Sequence, residues 1–183
     1  MGKEYRYEVD WVVINIVWFG AVMIRKAMKK DVKTLVELIK LKAEFDRSMK
    51  GYFGEVSTTE EKLERALFSD TPYAYALLIE CEEKVLGFAL FHYRYSSFSG
   101  YASIWLDDLL VLVEERSKGY GNQLMVAIRD LADSDLVSHI AWTASPHNTR
   151  AHDFYKKLGA EIERMEDQRP YFRWEVAKGL KFI

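Results

Sequence analysis

The chain has 183 residues, 49% hydrophobic and 30% charged, which suits one folded domain and excludes wholesale disorder. Its 26 lysines and arginines against 28 acids leave a net charge of −2, which removes the electrostatic argument for nucleic-acid binding. Cys81 is the sole cysteine, so no intramolecular disulfide can form, and the composition fits a reducing, cytoplasmic setting.

Residues 11–24 form an almost continuous apolar run broken by Asn15. A bilayer span needs about 20 apolar residues, and a secretory signal would not be preceded by Glu4, Glu8 and Asp10. Val, Ile and Trp dominate the run, which predicts a buried or edge strand rather than a membrane segment. Met23, followed by Ile24-Arg25-Lys26-Ala27, marks residues 1–22 as an extension that adds a strand ahead of the domain proper.

A strand is expected near 21–27. Asp31 is placed to cap a helix that buries Val32, Leu35, Val36, Ile39 and Ala43 and ends near Phe45-Asp46. A second helix starts near 57–59, with Glu60 and Glu61 positioned for a capping box and Leu63, Ala66 and Leu67 inward. Residues 73–81 and 84–95 read as a hairpin around Glu82-Glu83, and 101–113 as a long strand. A helix follows over 120–133, a strand over 137–143, a helix over 148–158 stopped by Gly159, and strands near 160–166 and 171–177. Helices and strands are mixed along the chain without repeats or linkers, so the fold class is α/β, a mixed central sheet flanked by helices.

The segment carrying most chemistry is Arg116-Ser117-Lys118-Gly119-Tyr120-Gly121-Asn122, between the longest strand and an amphipathic helix. Free N–H groups at a helix start, glycines that admit close approach and two cationic side chains make a cradle for a pyrophosphate. Taken alone, the loop is equally an ordinary strand-to-helix turn. It is neither a Rossmann fingerprint nor a P-loop.

Arg116-x-x-Gly119-x-Gly121 resembles the R/Q-x-x-G-x-G/A acetyl-CoA motif of the GNAT superfamily of N-acetyltransferases. Asn148-Thr149-Arg150-Ala151-His152-Asp153-Phe154-Tyr155, running on to Gly159-Ala160, resembles that family's second signature, and the two stand in the family's order. Within the superfamily the sequence is similar to the spermidine/spermine (diamine) N-acetyltransferases and their thialysine-acetylating relatives. Gly87-Phe88-Ala89, Trp105-Leu106-Asp107-Asp108-Leu109-Leu110-Val111, and Leu38-Ile39-Lys40 with Phe45-Asp46 carry that likeness. Asp stands for Glu at 107 and 46, and Phe45 for a tyrosine, so each acid reaches one methylene less far.

The resemblance implies a GNAT fold over residues 23–183 and transfer of an acetyl group from acetyl-CoA to a primary amine of a small polyamine, diamine or lysine-like acceptor. It makes Leu109, Leu110 and Val111 the backbone partners of the pantetheine arm. Arg116, Ser117, Lys118, Gly119, Tyr120, Gly121, Asn122, Asn148 and Ala151 become coenzyme contacts, and Asp107, Asp46 and Phe45 acceptor contacts. Tyr155 is the implied acid for the departing thiolate and Asp107 the base, with Asp108 as its neighbour and rival. A base is needed because an amine of pKa about 10.4 is only about 0.04% neutral at pH 7. A protein or peptide acetyltransferase, and a non-catalytic acyl-CoA sensor, are the alternatives. No metal ligand spacing is present, and a homodimer is the family expectation.

Overall fold

The computed structural model describes residues 17–19, 22–132 and 137–176. Eight strands form one sheet in the order β1-β2-β3-β4-β5-β6-β8-β7, in which only the β5/β6 pair is parallel. The apolar N-terminal run carries one short strand and the start of the next. β1 (Val17–Phe19) pairs antiparallel with β2 (Val22–Lys26), Phe19 opposite Val22. Residues 1–16 of the expected extension lie outside the described residues.

Asp31 stands at the start of α1 (Val32–Ser48), but its side chain does not cap that helix. Its Oδ2 instead accepts the Met28 N–H at 2.7 Å and pairs with Arg25 at 2.6 Å, while Arg25 also reaches Glu80 at 2.8 Å. Burial pushes the Asp31 carboxyl up, but Arg25 and the Met28 N–H outweigh it and hold the group below the usual carboxylate range. In α2 (Glu60–Phe68), Thr59 is the cap and accepts the Lys62 N–H at 3.3 Å. Lys62 therefore occupies the third helical position, and the expected capping box does not form; Glu60 and Glu61 instead lie in the first turn, where they suit the helix dipole.

β3 (Tyr75–Cys81) and β4 (Lys84–Tyr95) join through Glu82 and Glu83 at φ 48° and 68°, a two-residue turn with both centres left-handed. β5 (Ala102–Val111) leads into α3 (Tyr120–Ala132), β6 (Val137–Thr143) into α4 (Thr149–Lys157), and β7 (Glu161–Glu166) with β8 (Arg169–Glu175) closes the sheet. Asn148 caps α4 through Oδ1 on the Ala151 N–H at 3.1 Å. Among the described residues no helix is long and apolar enough to cross a membrane.

The central strands of the sheet are buried on both faces. Leu77, Ile79 and Phe91 join Leu124, Met125 and Ile128 of α3 in one core, while Leu78 and Phe88 meet Leu35, Leu63 and Leu67 of α1 and α2 in the other. β5 switches faces midway. Its pairing with β4 runs Leu106 opposite Phe91 and then Asp108 opposite Leu90, so Asp107 is an extra residue in a bulge. Ile104 and Leu106 consequently belong to the α3-side core and Leu110 to the α1-side core, although even spacing would put all three on one face.

Candidate active site

β5 and β6 pair only as far as Trp105 opposite Ala141, then splay apart. The wedge they open holds a cavity of about 530 Å³, floored by β5 and walled by the starts of α3 and α4. Leu109, Leu110 and Val111 line it from one side, and Thr143, Ala144 and Ser145 from the other. The close approach of β4 fixes the floor. A Cβ at Gly87 would lie 2.4 Å from the Leu110 carbonyl oxygen, so no larger residue fits opposite that stretch.

One end of the cavity is cationic. Ser117 and Gly119 adopt φ 67° and 87°, turning the chain into α3, where the first N–H with a carbonyl acceptor is that of Gln123, on Gly119 O at 3.1 Å. The amides before it are the unsatisfied donors of any helix start, and Gly119, Tyr120, Gly121 and Asn122 all line the cavity. Arg116 donates its Nε–H to Val111 O at 3.1 Å and lies over the Phe45 ring at 4.7 Å. Arg150 donates to Ser117 Oγ at 3.1 Å. Among the described residues neither arginine meets a carboxylate. Burial, and then the charge of Arg150, push the Arg116 guanidinium below its ordinary pKa, the signature of a cation lacking its counter-ion. Such an arrangement can hold a polyphosphate.

The other end is acidic. Asp46 and Asp107 line the cavity, and Asp108 lies behind them. Asp107 Oδ2 accepts from His92 Nδ1 at 2.9 Å, and Asp108 faces Lys42 of α1 at 3.6 Å. Strict alternation puts these two neighbours on opposite faces; the bulge turns both toward α1. Burial is the largest influence raising the Asp108 carboxyl; Asp46 and Asp107 add to it, and Lys42 opposes it.

Between the ends stands Tyr155, its ring held by Trp142 at 4.8 Å, Phe172 at 5.1 Å and Phe154 at 5.2 Å. Burial first, then the charges of Asp46 and Asp108, raise its hydroxyl well above the ordinary phenol pKa. The group stays protonated at neutral pH and can serve as an acid, not as a base.

Residues 49–51 are tied over the acidic end. Ser145 Oγ donates to Met49 O at 2.7 Å and Arg169 Nη2 to Gly51 O at 2.6 Å. His152 Nε2 in turn donates to Ser145 O at 2.9 Å. At Gly51 an added Cβ would stand 2.8 Å from Ser145 Cβ, so the strap depends on its being glycine.

Every residue proposed from sequence for coenzyme, acceptor or catalysis lines this cavity except Lys118 and the rival base Asp108. Lys118 is exposed and its ammonium is taken at 2.7 Å by Glu115, an acid that itself lines the cavity, so its charge is already engaged. Phe45 lies against Arg116 rather than standing free at the acceptor end. Lys42, Arg150, Lys157, Ser145 and Arg169 also line the cavity without having been singled out. Arg150 could have been found, since it stands inside the Asn148-x-x-Ala151 signature; no local signal marks Ser145 or Arg169.

Residues 40–160 match the Acetyltransferase (GNAT) family. The chain is 30% identical over 162 residues to the thialysine N-epsilon-acetyltransferase of Bos taurus, an alignment covering 84% of this chain and 92% of that protein. Among solved structures, the PaiA N-acetyltransferase of Thermoplasma acidophilum in complex with coenzyme A superposes with a TM-score of 0.65 at 16% identity, covering 85% of this chain and 99% of that one. NAA60 of Arabidopsis thaliana, in complex with a bisubstrate analogue, superposes with a TM-score of 0.62 at 11% identity, covering 84% and 97%.

Proposed function

The chain belongs to the GNAT acetyltransferase family, and from that premise we propose that it moves the acetyl group of acetyl-CoA to the primary amine of a small diamine, polyamine or lysine-like acceptor. The observation carrying this reading is the polarity of the one cavity, with uncompensated arginines and a helix start at one end and carboxylates at the other. A coenzyme rich in phosphate and an acceptor rich in ammonium fit opposite ends of such a space, with the thioester between them.

Arg116, Arg150 and the amides of residues 119–122 hold the phosphates. The backbone of 109–111 aligns the pantetheine arm as an added strand and polarises the acyl carbonyl. Acetyl-CoA supplies the activated acyl group. Asp107 receives the acceptor's ammonium and takes its proton, directly or through water, and His92 orients that carboxylate. As the amine nitrogen bonds the acyl carbon and the C–S bond breaks, Tyr155 gives its proton to the sulfur, and the nitrogen's surplus proton leaves to solvent, from which Tyr155 is reprotonated. The strap over residues 49–51 narrows the acceptor end and favours a small molecule over a peptide.

Thiol release from acetyl-CoA, followed across lysine, thialysine, spermidine, putrescine and a short peptide, tests the reading. Saturable turnover with a small amine is the expected result. Turnover with the peptide alone would move the acceptor to proteins, and coenzyme binding without turnover of any amine would leave a sensor.

A further inference from the structure

Asp46 and Asp108 belong to different elements, and a single ammonium joins them. Lys42 Nζ lies 2.5 Å from Asp46 Oδ2 and 3.6 Å from Asp108 Oδ1. The Lys42 side chain is only 17% exposed, too enclosed for a solvated helix face. Lys42 and Asp46 line the main cavity and also a second one of about 260 Å³, into which Asp108, Tyr52 and Glu55 face. The two spaces meet at this ion pair, whereas Asp107 lines the first alone. An acceptor whose reacting amine sits at Asp107 and whose chain extends into the second cavity must pass Lys42.

We infer that Lys42 sets acceptor specificity: its ammonium fills the seat between Asp46 and Asp108 that the second ammonium of a diamine would take. The inference rests on the acetyl-transfer reading above and narrows its acceptor. The site favours an amine whose far end has no net positive charge, as in a lysine-type amino acid, over a diamine of equal length. A fixed cation in an enclosed site repels a second one strongly and selects against it, while the zwitterionic end of an amino acid escapes that cost. Burial raises the Asp108 carboxyl, and the same lysine opposes that rise. With Lys42 removed, the two carboxylates lack their cation, and a diamine supplies one.

Lysine and 1,5-diaminopentane differ only in the carboxylate, so the ratio of their kcat/KM values with acetyl-CoA isolates the effect. The wild-type protein should prefer lysine. Lys42→Met should move the ratio toward the diamine by about tenfold or more, chiefly through KM, and Lys42→Arg should hold it within about threefold of wild type. An unchanged ratio in Lys42→Met, or a wild-type preference for the diamine, overturns the inference. If the methionine variant does not fold, Lys42→Gln serves, since its amide bridges both carboxylates without charge. Turnover of neither lysine nor the diamine overturns this inference, as does turnover of both with a ratio insensitive to residue 42; only failure of every small amine in the wider series above overturns the small-amine acetyl-transfer reading itself.

Discussion

At the coenzyme end, six of the cavity-lining residues come from one stretch of seven, Arg116 to Asn122, with Lys118 the exception. At the acceptor end, Lys42 and Asp46 come from α1, Asp107 and Asp108 from β5, Ser145 from the turn after β6 and Arg169 from β8. The first end is made of local chain geometry and backbone donors; the second exists only once the sheet and α1 have met. Affinity for a common coenzyme can therefore reside in a short motif, while acceptor choice depends on contacts between segments up to 118 residues apart.

The sharpest way to separate the two ends is at the residue between them. Tyr155→Phe removes the hydroxyl and leaves the ring among Trp142, Phe154 and Phe172, so the packing survives. With the proton donor lost, kcat should fall about 10²-fold while the dissociation constant of CoA stays within about twofold. Steady-state kinetics and calorimetry on one preparation check both halves. An undiminished kcat would remove Tyr155 from the acid role and place the proton elsewhere.

Arg116→Ala tests the coenzyme end alone. The guanidinium is a half-buried cation that meets no carboxylate among the described residues, and its loss should weaken CoA binding about tenfold, with the acceptor KM and the kcat at saturating coenzyme within about twofold. The weakening should shrink as salt rises, since the contact is electrostatic. A change in acceptor KM as large as the change in CoA affinity would break the division, and the Phe45 ring under Arg116 is the route by which it would travel.

The same division explains what could be read before the fold was seen. The strand over 137–143 and the helix that follows, stopped at Gly159, depend on neighbours a few residues away, and they stand where periodicity and turn chemistry put them. Asp31 as a cap failed because Arg25, on β2, claims its carboxylate, a partner no helix rule contains. Alternation would put Asp107 and Asp108 on opposite faces because it assumes an unbroken ladder; the bulge arises from how β4 and β5 register, which neither strand states by itself. Lys42 and Asp46 stand four apart on a helix, so an ion pair was readable there, but the arrival of Asp108 was not.

Lys118 is the smallest test and the most pointed, because motif position and geometry disagree about it. Its place between Arg116 and Gly119 argues for a phosphate contact, whereas its ammonium is held by Glu115, which also faces Lys84 at 3.8 Å. Its partner's carboxyl is held below the ordinary value, chiefly by the Lys118 hydrogen bond, so the lysine acts first as a counter-ion to an acid lining the coenzyme end. Lys118→Ala should then change CoA affinity by no more than about twofold, in the weakening direction, through exposure of the Glu115 charge. The double variant with Glu115→Gln should recover that loss. A weakening near that of Arg116→Ala, unrelieved by Glu115→Gln, would mean that Lys118 leaves Glu115 when coenzyme arrives and binds phosphate directly, making the cradle's charge as local as its backbone.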